Sequence, residues 1–208
     1  MIDPVHLDDH LLVVDKPSGL LSVPGRGPEN ADCVSARVQA QWPDALIVHR
    51  LDMGTSGLLA FGRGLDVQRR LNEAFAKRRV EKHYEAVVDG LIEADAGEID
   101  LPLIADWPAR PRQKVCHETG KPSLTRWQVV SRDTEHRTTR VALAPLTGRS
   151  HQLRVHLASL GHPILGDDLY ARPEVQARAP RLLLHARVLA LPHPDDGRWV
   201  RFETPCPF

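Results

Sequence analysis

Residues 45–61 read Ala45-Leu46-Ile47-Val48-His49-Arg50-Leu51-Asp52-Met53-Gly54-Thr55-Ser56-Gly57-Leu58-Leu59-Ala60-Phe61. Two apolar runs flank a charged Arg-x-Asp step and a Gly-bracketed Thr-Ser turn. The pattern predicts two buried strands, Val48–Asp52 and Gly57–Gly62, joined by that turn. An extended 48–52 segment places Arg50 and Asp52 on one face. A carboxylate between buried strands is costly unless it is paired. Taken alone, the step reads as a structural ion pair, and the glycines read as ordinary hairpin chemistry.

Working outward, Leu11–Asp15 is a short apolar run that predicts a buried strand. Lys16-Pro17-Ser18-Gly19 after it is turn chemistry, because Pro presets φ and Gly supplies φ > 0. Residues 20–23 extend again. Residues 31–41 predict a short helix closed by Pro43. Residues 65–79 have helical spacing, with Leu65, Leu71, Ala74 and Phe75 apolar and a basic cluster (Lys77, Arg78, Arg79) in the last turns. Val80–Gly90 alternates as a strand with Tyr84, Ala86 and Val88 on one face, and Gly97–Leu103 continues the strand pattern. Trp107–Lys121, rich in Pro, Arg and Lys, predicts an irregular basic loop. Thr125–Ser131 and Thr139–Ala144 predict an antiparallel pair. Ser150–Leu160 predicts a helix with Ser150 as N-cap and Gly161 just past its end. Leu182–Leu191 and Trp199–Phe202 supply late strands. The sum is one α+β domain over residues 1–208, built on a mixed, mainly antiparallel sheet with flanking helices and loops.

Composition bounds the function. The 208 residues are 42% hydrophobic and 26% charged, ordinary for a globular chain with a sizeable core. No apolar run reaches the roughly 18–20 residues of a membrane span, and the N-terminus lacks the pattern of a signal peptide. Cys33, Cys116 and Cys206 are few and far apart, which argues against disulfide and zinc frameworks and for a reduced, cytoplasmic setting. Net charge is zero, yet successive blocks 1–48, 49–82, 83–106, 107–154 and 155–208 carry −4, +4, −7, +7 and 0. Two basic blocks on one face can follow a phosphate backbone; a set of solvated faces explains the same pattern.

Several chemistries can be tested on spacing. A nucleophile elbow needs Gly-x-Ser-x-Gly, and Gly54-Thr55-Ser56-Gly57 is one residue short and lies between strands. His151 and His156 are five apart, and no His-Glu-x-x-His motif is present, so a zinc hydrolase does not fit and no metal ligand set is assigned. Arg149, just before a helix start, suits a phosphate. Tyr84 is either sheet packing or a surface on which a nucleotide base stacks.

Taken together, six blocks in order resemble the RluA family of RNA pseudouridine synthases. They are Asp15-Lys16-Pro17-Ser18-Gly19-Leu20, His49-Arg50-Leu51-Asp52 with Thr55-Ser56-Gly57, Lys82-His83-Tyr84, Thr147–Arg154, Gly161–Asp167 and Leu184-His185-Ala186. The resemblance covers nearly the whole chain and leaves no room for an N-terminal S4 RNA-binding domain before residue 11. It implies a pseudouridine-synthase-like catalytic domain that isomerises uridine in structured RNA without a cofactor. By this match Asp52 is the catalytic nucleophile, Arg154 pairs with it, and Tyr84 stacks on the uracil. Arg50 fills the gap left by the extruded base or holds its phosphate, Leu184 forms an apolar wall, and His49 and Arg149 complete the substrate-binding set. Residues 63–82 and 110–126 would bind the surrounding stem.

Within the family, Leu20-Leu21-Ser22-Val23-Pro24-Gly25-Arg26 and Asp100-Leu101-Pro102-Leu103-Ile104 are similar to the member for which the family is named. That member is dual-specific, for uridine 32 of a tRNA anticodon loop and uridine 746 of 23S rRNA. The resemblance therefore implies a tRNA anticodon stem-loop and 23S rRNA as partners, with no membrane and no required protein partner; a monomer is expected because no large exposed apolar helix face is apparent. A related synthase with another RNA target, and a catalytically silent RNA-binding module, are the rival readings.

Overall fold

The computed structural model describes residues 2–208. In chain order its elements are β1 (Pro4–Leu7), β2 (Leu11–Lys16), α1 (Val34–Gln39), β3 (Ala45–Ile47), β4 (Ser56–Arg63), α2 (Leu65–Ala76), β5 (Glu81–Asp89), β6 (Ala96–Asp100), β7 (Leu103–Ala105), β8 (Gln113–Val115), β9 (Leu124–Asp133), β10 (Thr138–Pro145), α3 (Gln152–Ser159), α4 (Pro173–Gln176), β11 (Leu184–Pro192) and β12 (Trp199–Glu203). The chain divides into two compact units. One runs to Lys82 and includes Ala186–Pro207; the other is His83–His185 with Phe208.

In the first unit, β2 pairs antiparallel with both β1 and β4, with Leu11 opposite Gly62 and Lys16 opposite Gly57. Strand β3 also pairs with β4, and β12 pairs with β11. Leu11, Leu12, Val13 and Val14 are all fully buried. A strand covered on both faces reads as a continuous apolar run, not an alternating one. Helix α2 sets Val67 and Leu71, four residues apart, into a core with Leu11, Val13, Leu58, Ala60, Leu189 and Leu191, and Phe75 packs against it. Each such leucine contributes about 1.5–3 kcal/mol by its burial.

In the second unit, β10 pairs antiparallel with β5 and β9, and β9 with β6. Ala86 and Val88 of β5 enter a core with Val141, Leu143, Leu153, Leu157 and Ile164, and Tyr84 packs on its edge, so the predicted period-2 face of β5 is present. Helix α3 buries six consecutive residues from Gln152 to Leu157, and so is enclosed on every side. Its end is a Schellman motif. Gly161 stands at φ +85°, its N–H reaches Ala158 O at 3.0 Å, and His162 N–H reaches Leu157 O at 3.0 Å.

Five local expectations are corrected. Val48–Asp52 is not a strand: pairing with β4 stops at Ile47, opposite Phe61, the Ala60 N–H goes to the His49 ring, and Ser22 Oγ takes both main-chain groups of Leu51. The helix over 65–79 ends at Ala76, with Lys77 as C-cap and Arg78 at φ 56°, so the basic cluster lies beyond it. Residues 107–121 are not an irregular loop throughout. Strands β7 and β8 form a hairpin, with Leu103 opposite Val115, and the Arg110 guanidinium sits 3.1 Å over the exposed Trp107 ring. Ser150 is not the cap of α3; that place is taken by His151 at φ 54°. Residues 20–23 form no strand beyond a single bridge from Leu21 to Cys33. Among the described residues no helix is long and apolar enough to cross a membrane.

Candidate active site

The sequence-predicted residues fall into two groups, Asp52, Arg50 and His49 in the first unit and Tyr84, Arg149, Arg154 and Leu184 in the second.

Asp52 sits half-buried in the loop between β3 and β4, with Leu51 buried before it and Arg50 and Met53 exposed. The loop is held by its main chain. Ser22 Oγ donates to Leu51 O at 2.7 Å and accepts Leu51 N–H at 3.1 Å. Ser18 Oγ donates to Gly54 O at 2.7 Å. The Lys16 ammonium, fully buried, donates to Pro17 O, Leu20 O and Met53 O at 2.9, 2.6 and 2.9 Å. Gly19 N–H also reaches Met53 O, at 2.8 Å, and Thr55 N–H reaches Asp52 O at 3.1 Å, closing a tight turn. A buried ammonium is tolerable because its donors are satisfied by carbonyls. The Lys-Pro-Ser-Gly turn thus has a second use, as the clamp that fixes the Asp52 loop.

Gly57 explains the glycine of the Thr-Ser-Gly step. It stands at φ +116°, and a Cβ there would lie 2.3 Å from Ala186 O and 2.6 Å from Ala186 N. Only glycine permits this main-chain approach.

His49 has a scaffold role. Its Nε2 accepts the Ala60 N–H at 3.0 Å, and its ring stacks on Phe75 at 4.7 Å between centroids. An acceptor Nε2 requires a neutral ring with the proton on Nδ1. Burial, with the Lys82 charge as a second cause, pushes its pKa down to about 3. The ring thus anchors the start of the Asp52 loop to β4 and α2.

In the second unit, Arg154 is nearly buried and grips Asp167 with both arms. Its Nε lies 2.8 Å from one carboxylate oxygen and its Nη2 2.6 Å from the other, and the same Nη2 lies 2.8 Å from Asp168. Asp167 is fully buried, and its Oδ1 also accepts Leu169 N–H and Tyr170 N–H at 2.9 Å each. A buried pair is stable when its remaining lone pairs are satisfied, as these are. Tyr170 extends the network. Its hydroxyl lies 2.7 Å from His151 Nδ1 and accepts Gln113 N–H at 2.8 Å, while the Arg154 guanidinium lies 5.2 Å from its ring centre.

The start of α3 is organised by Gln152. Its Oε1 accepts from the Thr147 hydroxyl at 2.8 Å and from Arg149 N–H at 3.0 Å, and its Nε2 donates to Leu124 O and Thr125 Oγ1. The chain is thereby turned before the helix begins, which displaces Ser150 from the cap. Arg149 is half-buried and donates to Pro122 O at 3.3 Å. His156 lies within 3.0 Å of both Thr125 Oγ1 and Leu101 O, and burial holds its pKa below the usual histidine value. Tyr84 is half-buried on β5, and Leu184, the first residue of β11, is buried in the second unit's core.

Reasoning from sequence did not single out Lys16, Ser18, Ser22, Asp167 and Tyr170 as site residues. Lys16, Ser18 and Asp167 lie inside the motif blocks, so the blocks themselves were the available signal.

The profile of the RNA pseudouridylate synthase family matches residues 10–159. The chain belongs to that family, whose members are isomerases. It is 53% identical to the dual-specificity RNA pseudouridine synthase RluA of Yersinia pestis over 98% of each chain. It is 52% identical to the enzyme of that name from Escherichia coli K12, over 98% of this chain and 93% of the relative. Among solved structures, human RNA pseudouridylate synthase domain containing 1 superposes with a TM-score of 0.85 at 29% identity, covering 100% of this chain and 84% of that one.

Proposed function

We propose that this protein converts uridine to pseudouridine in two RNAs, at uridine 32 in a tRNA anticodon loop and uridine 746 in 23S rRNA, with Asp52 as the nucleophile. The near-full-length similarity to enzymes named dual-specificity supports the substrate reading. The observation that carries the chemistry is the half-buried Asp52 carboxylate on a loop whose carbonyls are held by Lys16, Ser18 and Ser22.

The reaction breaks N1–C1′, turns the uracil and forms C5–C1′. The C5 proton is lost and N1 gains one, so no redox partner is required. A carboxylate can attack C1′, attack C6 or take the C2′ proton, and every route needs it ionised. In this reading Arg154, whose guanidinium is oriented by Asp167, is the catalytic cation. Tyr84 stacks on the uracil. Arg50, exposed beside the nucleophile, holds the gap left by the base or its phosphate, and Leu184 closes the pocket wall. The uridine leaves its stack at a cost of a few kcal/mol, least in a loop whose bases are already unpaired. Arg149 and the basic segments 63–82 and 110–126 bind the flanking stem. The protein acts as a cytoplasmic monomer without a cofactor.

The test is tritium release to water from C5-tritiated tRNA and 23S rRNA fragments. Release from both is expected, and it disappears in Asp52→Asn. Release from only one RNA would remove the dual-specificity reading, and release that survives Asp52→Asn would remove the nucleophile.

A further inference from the structure

A second cluster of chemically capable side chains lies in the first unit, made by β1, the turn that follows it and the turn between β11 and β12. His6 Nε2 lies 2.7 Å from Asp8 Oδ2, and His193 Nε2 lies 3.0 Å from the same oxygen. The three ligand atoms all fall within 4.8 Å of one another. His193 is buried at 6% exposure, whereas His6 and Asp8 are half-open to solvent. None of the three takes part in the site described above.

We propose that His6, Asp8 and His193 form a binding site for a divalent transition metal of the zinc class, which joins β1 to the β11–β12 turn. Two imidazoles and one carboxylate are a donor set that zinc accepts, with water as the fourth ligand. Ligand distances of about 2.0–2.1 Å around a tetrahedral ion give edges of roughly 3.3 Å. The 2.7 and 3.0 Å separations both fall short of such an edge, so these ligands have to open slightly to admit the ion. The widest separation closes by rotation of the half-open His6 ring.

The surroundings already orient the ligands. Asp8 Oδ1 accepts His10 N–H at 2.8 Å and Leu11 N–H at 2.7 Å, which fixes the carboxylate and presents Oδ2 alone to the two imidazoles. His193 Nδ1 lies 3.6 Å from Asp196 Oδ1 and takes a long 3.4 Å bond from Asp195 N–H. Metal on Nε2 puts the ring proton on Nδ1, which requires Asp195 N–H to release that nitrogen and Asp196 Oδ1 to close in from 3.6 Å to accept the hydrogen bond. A carboxylate behind a ligating imidazole is the usual outer-shell partner.

The experiment is metal retention by the full chain without an affinity tag, after equilibration with ZnCl₂ and dialysis, with CoCl₂ as an optical probe. One Zn²⁺ per chain is expected, with the intense visible bands of four-coordinate Co²⁺. His6→Gln and Asp8→Asn are each expected to lower affinity by more than about tenfold. His136→Gln, in an exposed His–Asp pair with a 2.8 Å contact, leaves it unchanged. His193→Gln is expected to behave as His6→Gln, and if it does not fold the other two variants carry the test. No saturable uptake by the wild-type chain, or equal uptake in His6→Gln and Asp8→Asn, overturns the proposal.

Discussion

The Asp52 loop and the Arg154 helix are held in opposite ways. Around Asp52 the restraint acts on the main chain, with carbonyls of Leu51, Met53 and Gly54 caught by Ser22, Lys16 and Ser18. Around Arg154 it acts on the side chain, through Asp167, Asp168 and the Tyr170 ring. The first arrangement fixes the path of the loop. The second fixes the direction and charge of one guanidinium.

This contrast can be broken experimentally, and the largest effect is expected on the side-chain half. Asp167→Ala strips the buried Arg154 of its bidentate partner and should cost about 3–5 kcal/mol of stability, read from urea unfolding. A cost below 1 kcal/mol would mean that the network is not what holds Arg154. Lys16→Met removes three carbonyl contacts at once and should cost about 2–3 kcal/mol. It should also lower the rate of tritium release more than it weakens RNA binding, because it frees the loop and not the RNA surface.

A smaller effect is expected from pH. His49 is neutral in the fold, with a pKa of about 3 against an ordinary 6.5. Between those values the unfolded chain binds the extra proton, so this stability is complete above the ordinary value and is lost as pH falls. The loss should reach about 1–2 kcal/mol on going from pH 7 to pH 5. Urea midpoints at the two values should differ less in His49→Gln, which keeps an acceptor for Ala60 N–H. His156, lowered by burial in the second unit, gives acid sensitivity of the same sign there. The smallest effect is Ser18→Ala, about 0.5–1.5 kcal/mol from one hydrogen bond to Gly54 O.

The sequence revealed much of this molecule where a residue's surroundings lie close along the chain. The Tyr84, Ala86 and Val88 face, the Leu11–Val14 strand and the Gly161 helix end all follow from local pattern. Prediction failed where a distant group took over. Ser22 captures Leu51 from 29 positions away and draws the chain out of the ladder after Ile47. Gln152 takes the Arg149 N–H and leaves Ser150 without a capping role. The β7–β8 hairpin was hidden because its connecting residues carry the Pro and Arg that mark a loop. Strand β1 went unread because it is four residues long, opens with Pro and is largely exposed. In the candidate site, Asp52, Tyr84 and Arg154 came from motif blocks. Asp167 lies inside a motif block, but its grip on Arg154, like the contact of Tyr170, is a tertiary one that no spacing displays.

Gly57 has a consequence for the enzyme in salt. Its main chain rests against that of Ala186 with no room for even a methyl group. This is a hard stop, set by repulsion between atoms and not by attraction between charges. Mobile ions weaken contacts with an RNA backbone, yet they have no hold on a steric limit. Raising ionic strength should therefore empty the enzyme of RNA long before it alters where β4 begins, at Ser56, directly after the turn closed by Thr55.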